Sequence, residues 1–434
     1  MPQKDMIFSN KHPKEMYLLA ASEICQRFAY WGIANLLVLF LIGNFSYTSE
    51  KAASFFGLFT GLTFLLPILG GYIGDKWNYK SPIVLGSVLS SIGSFLISTL
   101  THNLAFLGLM LVALGVGLIM PSIYTLLGTL YNKRPHLREG GFSIYYALVN
   151  VGILLAMLLL GYIQTFSWRL VFLISGIVQL VGLFPYFIAA KRIESLNIPN
   201  HFFVSKAKDP NQYPLKKHEK DRIIVIIVMT LLSILFWLAY NQMGSSITLF
   251  INSYTSRTLS GFRIPTPWFL ALEPFFLITF AFPLAFLYLF LRKIHSNASP
   301  QMKTALSLFF MGMCFVVMQR AAANIPFGAT SASESPIYII LAFGLMALAE
   351  LFLAPIGLSL VTNLSPHRYK GILTGIWFAC VGVGYYLGGM LATLMNKITL
   401  SAYFDIFVVS SLIPAVVLVL FSKKLDNMRH IDYL

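Results

Sequence analysis

What this sequence lacks most clearly is charge. Only 11% of its 434 residues are Asp, Glu, Lys or Arg, whereas a soluble domain carries about 25%. A chain this short of charge cannot cover itself with a water-facing surface, which excludes a soluble enzyme and a disordered scaffold. Cysteine is scarce as well. Cys25, Cys314 and Cys380 all lie inside apolar runs, so the disulfide framework of a secreted protein is not readable. No His/Cys cluster has metal-ligand spacing, no Gly-rich phosphate loop follows a strand, and no Ser/His/Asp arrangement stands out. An ATP-driven pump and a membrane hydrolase therefore have no support, and an enzyme is not expected. No segment reads only as an alternating ten-residue strand, which excludes a β-barrel.

What is present is apolar length. Hydrophobic residues make up 57% of the chain, gathered into runs long enough for bilayer-crossing helices, which need about 20 residues each. Twelve spans are read at 16–44, 52–75, 82–100, 103–131, 141–164, 168–190, 223–251, 268–291, 302–322, 336–363, 371–396 and 401–422. The first fifteen residues are polar and the first run is too long for a cleavable signal, so none is expected. The one substantial hydrophilic stretch between spans is 191–222, with eight Lys/Arg and four Asp/Glu. The expected organisation is a six-helix bundle at 1–190, a basic cytoplasmic linker at 191–222, and a second six-helix bundle at 223–434.

The net charge of +15 is a topology signal. With both termini on one side, that side holds 24 of the 31 Lys/Arg. The other holds five: Lys51, Arg169, Arg257, Arg263 and Lys397. Arg27 and Arg320 fall within spans or at their edge. The positive-inside rule then places both termini in the cytoplasm, and nucleic acid is not an expected partner. The halves also share a faint repeat. Pro121, the basic loop at 132–139 and Gly152 recur as Pro355, the loop at 365–370 and Gly384. This fits two parallel repeats packed around a central cavity.

Ionisable groups at mid-bilayer cost about 2.5–3.5 kcal/mol each on insertion scales, so those that persist point to a task. Here they are Glu23 and Arg27 in span 1, Glu273 in span 8, Arg320 in span 9 and Glu350 in span 10. Glu23, Arg27 and Tyr30 are spaced i, i+4, i+7 on one helical face. Glu23 and Arg27 can form an ion pair, or a proton-responsive switch in which protonating Glu23 frees Arg27. Glu350 has no charged neighbour within four residues. Glu273 precedes Pro274, near the outer surface. The stretch Asn241-Gln242-Met243-Gly244-Ser245-Ser246 can break span 7 and expose backbone to a cavity. Asn150, Trp31 and Trp377 add polar and aromatic groups at membrane depth. Asp75 and Lys76, at the cytoplasmic end of span 2, are candidate gating residues through charge and helix-dipole contacts.

Several strings together resemble the proton-dependent oligopeptide transporter (POT/PTR) family of the major facilitator superfamily. Span 1 reads Glu23-Ile24-Cys25-Gln26-Arg27-Phe28-Ala29-Tyr30-Trp31-Gly32, similar to Glu-x-x-Glu-Arg-Phe-x-Tyr-Tyr-Gly. Gly71 and Asp75 match the superfamily's Gly-x-x-x-Asp. Span 5 carries Tyr145-Tyr146 through Asn150-Val151-Gly152, and span 7 carries Phe236-Trp237 and Gln242 through Ser246. Span 10 carries Glu350-Leu351, Pro355 and Gly357, and span 11 carries Gly375-Ile376-Trp377-Phe378. The resemblance implies the major facilitator fold, alternating access and proton-coupled uptake of di- and tripeptides. Protons are then the coupling ion and no cofactor is implied. It also implies a bacterial inner-membrane location. A monomer is expected, because no Gly-x-x-x-Gly seam stands out.

In that family an Arg in span 1 and a Lys in span 4 hold the peptide carboxylate, while the span 10 Glu and span 5 Asn hold its amino end. This sequence keeps Glu350 and Asn150 but has Ala34 and Met120 at the two cationic positions. Gln26 replaces the second Glu of the span 1 motif, Asn241 the Glu of span 7, and Glu273 an Asn in span 8. If all ionise, Glu23, Glu273, Glu350 and Arg27 leave a formal balance of about −2. The expected proton-coupling residues are Glu23, Arg27 and Glu350. The expected substrate-binding residues are Tyr30, Trp31, Asn150, Asn241, Gln242, Ser245, Glu273, Glu350 and Trp377. The ligand is then a peptide-like small molecule, or alternatively another solute that bears an amine and lacks a free carboxylate, with altered or absent proton coupling.

Overall fold

The computed structural model describes residues 12–76, 80–131, 137–195, 215–293, 299–366 and 369–430. Described in chain order, the helices are α1 (Lys14–Phe45), α2 (Ser49–Leu65), α3 (Pro67–Lys76), α4 (Lys80–Ser98), α5 (His102–Leu130), α6 (Arg138–Ile163), α7 (Trp168–Val181) and α8 (Leu183–Ser195). They continue as α9 (Lys217–Tyr240), α10 (Ser246–Tyr254), α11 (Thr266–Leu270), α12 (Leu272–Lys293), α13 (Pro300–Ala322), α14 (Ile337–Leu364), α15 (Lys370–Leu391) and α16 (Leu400–Asn427). Twelve helical passes among the described residues are long and apolar enough to cross a membrane. Each corresponds to one span read from the sequence.

More helices than passes are present because several passes are broken. The second pass, Ser49–Gly74, breaks at Leu66 ahead of Pro67, which lacks the N–H that would continue α2. The sixth breaks at Gly182 and the eighth at Ala271. The seventh breaks at the polar stretch, where Asn241–Gly244 tightens into a 3₁₀ turn. This pass also starts at Lys217, earlier than the expected 223. There the Glu219 carboxylate accepts from the Lys216 backbone N–H at 2.9 Å, a contact that starts a helix within polar sequence. Outside the helices, a hairpin pairs β1 (Thr258–Leu259) with β2 (Phe262–Arg263). Its turn residues Ser260 and Gly261 both have positive φ, 49° and 84°, the backbone that a two-residue hairpin turn demands.

Packing divides the chain into two units: Met1–Ile33 with Leu66–Val204, and Ala34–Leu65 with Ser205–Leu434. Residues 34–65 group with the second unit. The reason is local: a Cβ on Gly57 of α2 would sit 2.5 Å from the Gly389 Cα of α15. These two helices touch backbone to backbone, as small residues allow in membranes.

In the first unit α4 lies against α5 and α7. Its core joins Met16, Leu19, Ile123, Leu127, Tyr145 and Tyr186, all fully or almost fully buried. In the second unit α13 packs on α14 and α16. Aromatic rings fill that core, with Phe315 stacked on Phe407 at 4.8 Å between centroids. Leu420 on α16 and Met110 on α5 are instead 74% and 67% exposed. Large apolar side chains left open along apolar helices are lipid-facing surface rather than a packing failure.

Candidate functional site

In the first unit the charge lies at Glu23, on α1. Burying a carboxylate requires partners for its lone pairs, and three side chains supply them. Arg27 Nε, one turn along, donates to Oε1 at 3.0 Å. The Tyr124 hydroxyl of α5 donates to the same oxygen at 3.2 Å, and the Tyr145 hydroxyl of α6 donates to Oε2 at 2.5 Å. Arg27 Nη2 in turn donates to the Tyr124 hydroxyl oxygen at 2.7 Å. Glu23, Arg27 and two tyrosines from three helices thus form one closed network. Tyr145 was visible inside the span 5 motif. Tyr124 carried no sequence signal beyond lying three residues after Pro121, because tyrosine is common in these spans.

The neighbours of this network are equally buried. Tyr30 packs edge-to-face on Trp31 with 5.1 Å between centroids. Asn150 Nδ2 donates to the Tyr146 carbonyl of its own helix at 2.8 Å. Asp75 and Lys76 end α3, but their side chains lie outside the described residues.

In the second unit the break in the seventh pass frees backbone groups, and Gln242 repairs it. Its Nε2 donates to the carbonyls of Leu238 at 3.1 Å and Gly388 at 3.0 Å. Its Oε1 accepts from Ser246 Oγ and from the Tyr403 hydroxyl, both at 2.7 Å. A side-chain amide has two donor hydrogens and two acceptor lone pairs, so Gln242 spends its full capacity inside the protein. These bonds join α9, α15 and α16. Ser245 Oγ likewise donates inward, to the Asn241 carbonyl at 3.0 Å. Asn241 differs. Its Nδ2 donates to Thr60 Oγ1 at 3.3 Å, while its buried Oδ1 has no hydrogen-bond partner among the described residues.

Glu273 and Glu350 come together here. Glu273 lies in the first turn of α12 and Glu350 on α14, helices that pack on each other. They are 1% and 6% exposed, so neither is a snorkelling acid near the surface. Glu350 and Tyr240 are neighbours that act on the Glu273 carboxyl group. Oε1 of Glu273 is buried with no partner among the described residues. Tyr240 opens onto an aromatic group in which Trp237 stacks on Tyr385 at 5.8 Å and Tyr385 on Phe64 at 4.9 Å. Trp377 lies apart from that stack on α15. Its ring rests on Gly357 of α14, where an added Cβ would approach it to 2.1 Å. Arg320, by contrast, is exposed in the last turn of α13.

Known proteins bear on these clusters. The family model described as PTR2, the POT family, matches residues 80–209 and 193–407. The peptide transporter YePEPT of Yersinia enterocolitica is 28% identical over 447 residues, covering 88% of this chain and 87% of its own. Dipeptide and tripeptide permease B of Salmonella typhimurium is 26% identical over 428 residues, with the same shares covered. Among solved structures, a peptide transporter POT in complex with sulfate matches with a TM-score of 0.85 at 20% identity, covering 99% of both chains. A POT family transporter in complex with 5-aminolevulinic acid matches with a TM-score of 0.84 at 20% identity, covering 95% of this chain and 97% of that one. These likenesses show the fold: an all-α integral membrane protein of the major facilitator type.

Proposed function

This chain belongs to the POT family, and from that premise we propose that it carries di- and tripeptides or peptide-like solutes by alternating access with proton symport. It is a transporter rather than an enzyme. The observation that carries the reading is the Glu23 network. A buried carboxylate bonded to Arg27, Tyr124 and Tyr145 from three helices is a group whose protonation changes helix packing. Protonating Glu23 converts one acceptor oxygen into a donor, loosens Arg27, and leaves two hydroxyls to find new partners. Glu350 and Glu273 are suited to the ligand's ammonium, with Asn150, Asn241, Tyr30, Trp31 and Trp377 as further binding groups. Asp75 and Lys76 are proposed to gate the cytoplasmic side. The Lys/Arg distribution supports cytoplasmic termini, the family a bacterial inner membrane, and a monomer is the working unit. The relatives matched carry peptides by name.

Uptake of radiolabelled dialanine by proteoliposomes, with and without an inward proton gradient, tests this directly. Accumulation against the gradient-free level is the expected result. Absence of dialanine uptake under both conditions would reject the peptide reading.

A second reading is favoured by Ala34 and Met120. Ala34 is fully buried and apolar where relatives place a carboxylate-binding cation. A solute with an amine and no free carboxylate keeps its main anchor at such a site. Competition between amine-bearing compounds and dialanine separates the two readings.

A further inference from the structure

In the second unit, the loops at the far end from the basic linker display large apolar side chains where turn sequence is ordinarily polar. The seventh pass begins beside the linker at Lys217 and ends at Tyr254, and the eighth begins at Thr266. Between them lies the β1–β2 hairpin. Leu259 and Phe262 stand opposite each other in its register, so both side chains project to one side. They are 67% and 48% exposed. The loop after the ninth pass repeats the arrangement. There the Ala329 N–H donates to the Pro326 carbonyl at 3.2 Å, closing a tight turn in which Gly328 has φ 81° and Phe327 is 62% exposed. The two loops are joined: the Tyr254 hydroxyl donates to the Ala329 carbonyl at 2.9 Å, and the Ser256 N–H to the Glu334 carbonyl at 2.8 Å.

Cations flank these apolar tips. Arg257 immediately precedes β1, and Arg263 lies in β2. Arg257 Nη2 donates to the Asn252 carbonyl at 2.9 Å and Nη1 to the Ile264 carbonyl at 3.4 Å, which fixes the guanidinium on the loop without neutralising it. Burial, and then the like charge of Arg263, lower the Arg257 pKa from its ordinary value. Glu334 is tied to this loop through its backbone. Among the described residues no ion pair includes Arg257 or Arg263. Two arginines without an acid, beside exposed apolar side chains, match an amphiphile with a negative head and an apolar tail. Trp268, with its ring 5.9 Å from Phe262, is a residue type enriched where headgroups meet acyl chains. We propose that these two loops form a lipid-anchoring surface. Leu259, Phe262 and Phe327 enter the leaflet opposite the basic linker, while Arg257 and Arg263 take the phosphates of anionic headgroups. The surface continues the lipid-facing side of α12, where Phe275 and Phe282 are exposed, and it fixes the depth at which the eighth pass begins.

The test uses the full-length protein in nanodiscs. Nitroxides are placed at Phe262→Cys and Phe327→Cys after Cys25, Cys314 and Cys380 are changed to Ala. Power saturation then compares access by oxygen, which concentrates in lipid, with access by a nickel chelate, which stays in water. Oxygen access above nickel access at both positions is the expected result. Nickel access above oxygen access at either position overturns the anchor and leaves that tip in water. Low access by both reagents also overturns it, in favour of a protein or a second copy of the chain covering the tips. A label-free measurement keeps the native cysteines and reads the headgroup contact. The Tm of the wild type should rise when phosphatidylglycerol replaces part of the phosphatidylcholine, and Arg263→Gln, at an exposed position, should lose much of that rise. An equal rise in Arg263→Gln assigns the lipid effect to other basic residues and overturns the headgroup contact. Inorganic phosphate added to phosphatidylcholine nanodiscs should leave the Tm unchanged, and a rise matching that of phosphatidylglycerol would replace the lipid contact with a soluble-anion site.

Discussion

The two units solve the same problem, a carboxylate buried among membrane helices, in opposite ways. In the first, Glu23 is closed off by the protein itself: Arg27 supplies the charge, and Tyr124 and Tyr145 the remaining hydrogen bonds. In the second, Glu273 and Glu350 are buried on helices that pack on each other, and Glu273 Oε1 has no hydrogen-bond partner among the described residues. The lesson concerns what each cluster can do. A self-neutralised network responds to a proton by rearranging its own helices. A carboxyl group with an unpartnered buried oxygen has capacity left for a further donor.

The sharpest way to break this contrast is Glu23→Gln. It leaves Arg27 buried without its charge partner, a loss of about 3–5 kcal/mol in comparable buried pairs. Gradient-driven accumulation of dialanine should fall to the gradient-free level while counterflow exchange continues. Thermal unfolding in detergent should show the stability loss, and adding Arg27→Met should recover most of it. Normal accumulation by Glu23→Gln would shift the coupling role to the acid pair alone.

Next in size is ligand affinity. A charge-assisted hydrogen bond contributes about 1.5–3 kcal/mol, so Glu350→Gln should weaken dialanine binding roughly tenfold or more. Substitutions at Met120 should change it by less. Calorimetric titration of both variants checks the order, and the reverse order would place the dominant anchor in the first unit.

The two tyrosines compare the clusters at finer scale. Tyr145→Phe removes the 2.5 Å bond to Glu23, with an expected cost of about 1.5–3 kcal/mol for a bond to a charged group. Tyr240→Phe should cost less, about 0.5–1.5 kcal/mol, the net worth of an ordinary buried hydrogen bond. Denaturation midpoints of the two variants measured side by side decide whether the clusters differ in this way.

The smallest expected effect sharpens the picture of the ligand. Without cations at Ala34 and Met120, amidating the C-terminus of a dipeptide should change its competition against dialanine by no more than about threefold, well under the tenfold that a lost charged hydrogen bond would bring. A strong preference for the free acid would sink the amine-anchored site and give the carboxylate to Arg27.

Much of this was legible in the chain. Twelve apolar runs give twelve passes, because a bilayer core demands about 20 apolar residues per helix whatever their neighbours. The Glu23–Arg27 pair was readable from i, i+4 spacing, since one helix suffices to bring the two together. The break at 241–246 was readable from polar residues and a glycine inside an apolar run. These are properties of single segments, determined by composition and helical period. What only tertiary structure decided is everything that needs two segments at once. Tyr124 and Tyr145 reach Glu23 across about a hundred residues of chain. The amide of Gln242 meets Gly388 and Tyr403 from two other helices. Glu273 and Glu350 stood as separate acids, 77 residues apart, until α12 packed on α14. Hydrogen bonds and charge interactions act over a few ångströms of space, and a sequence orders distance along the chain, so such pairs exist only once the helices have packed.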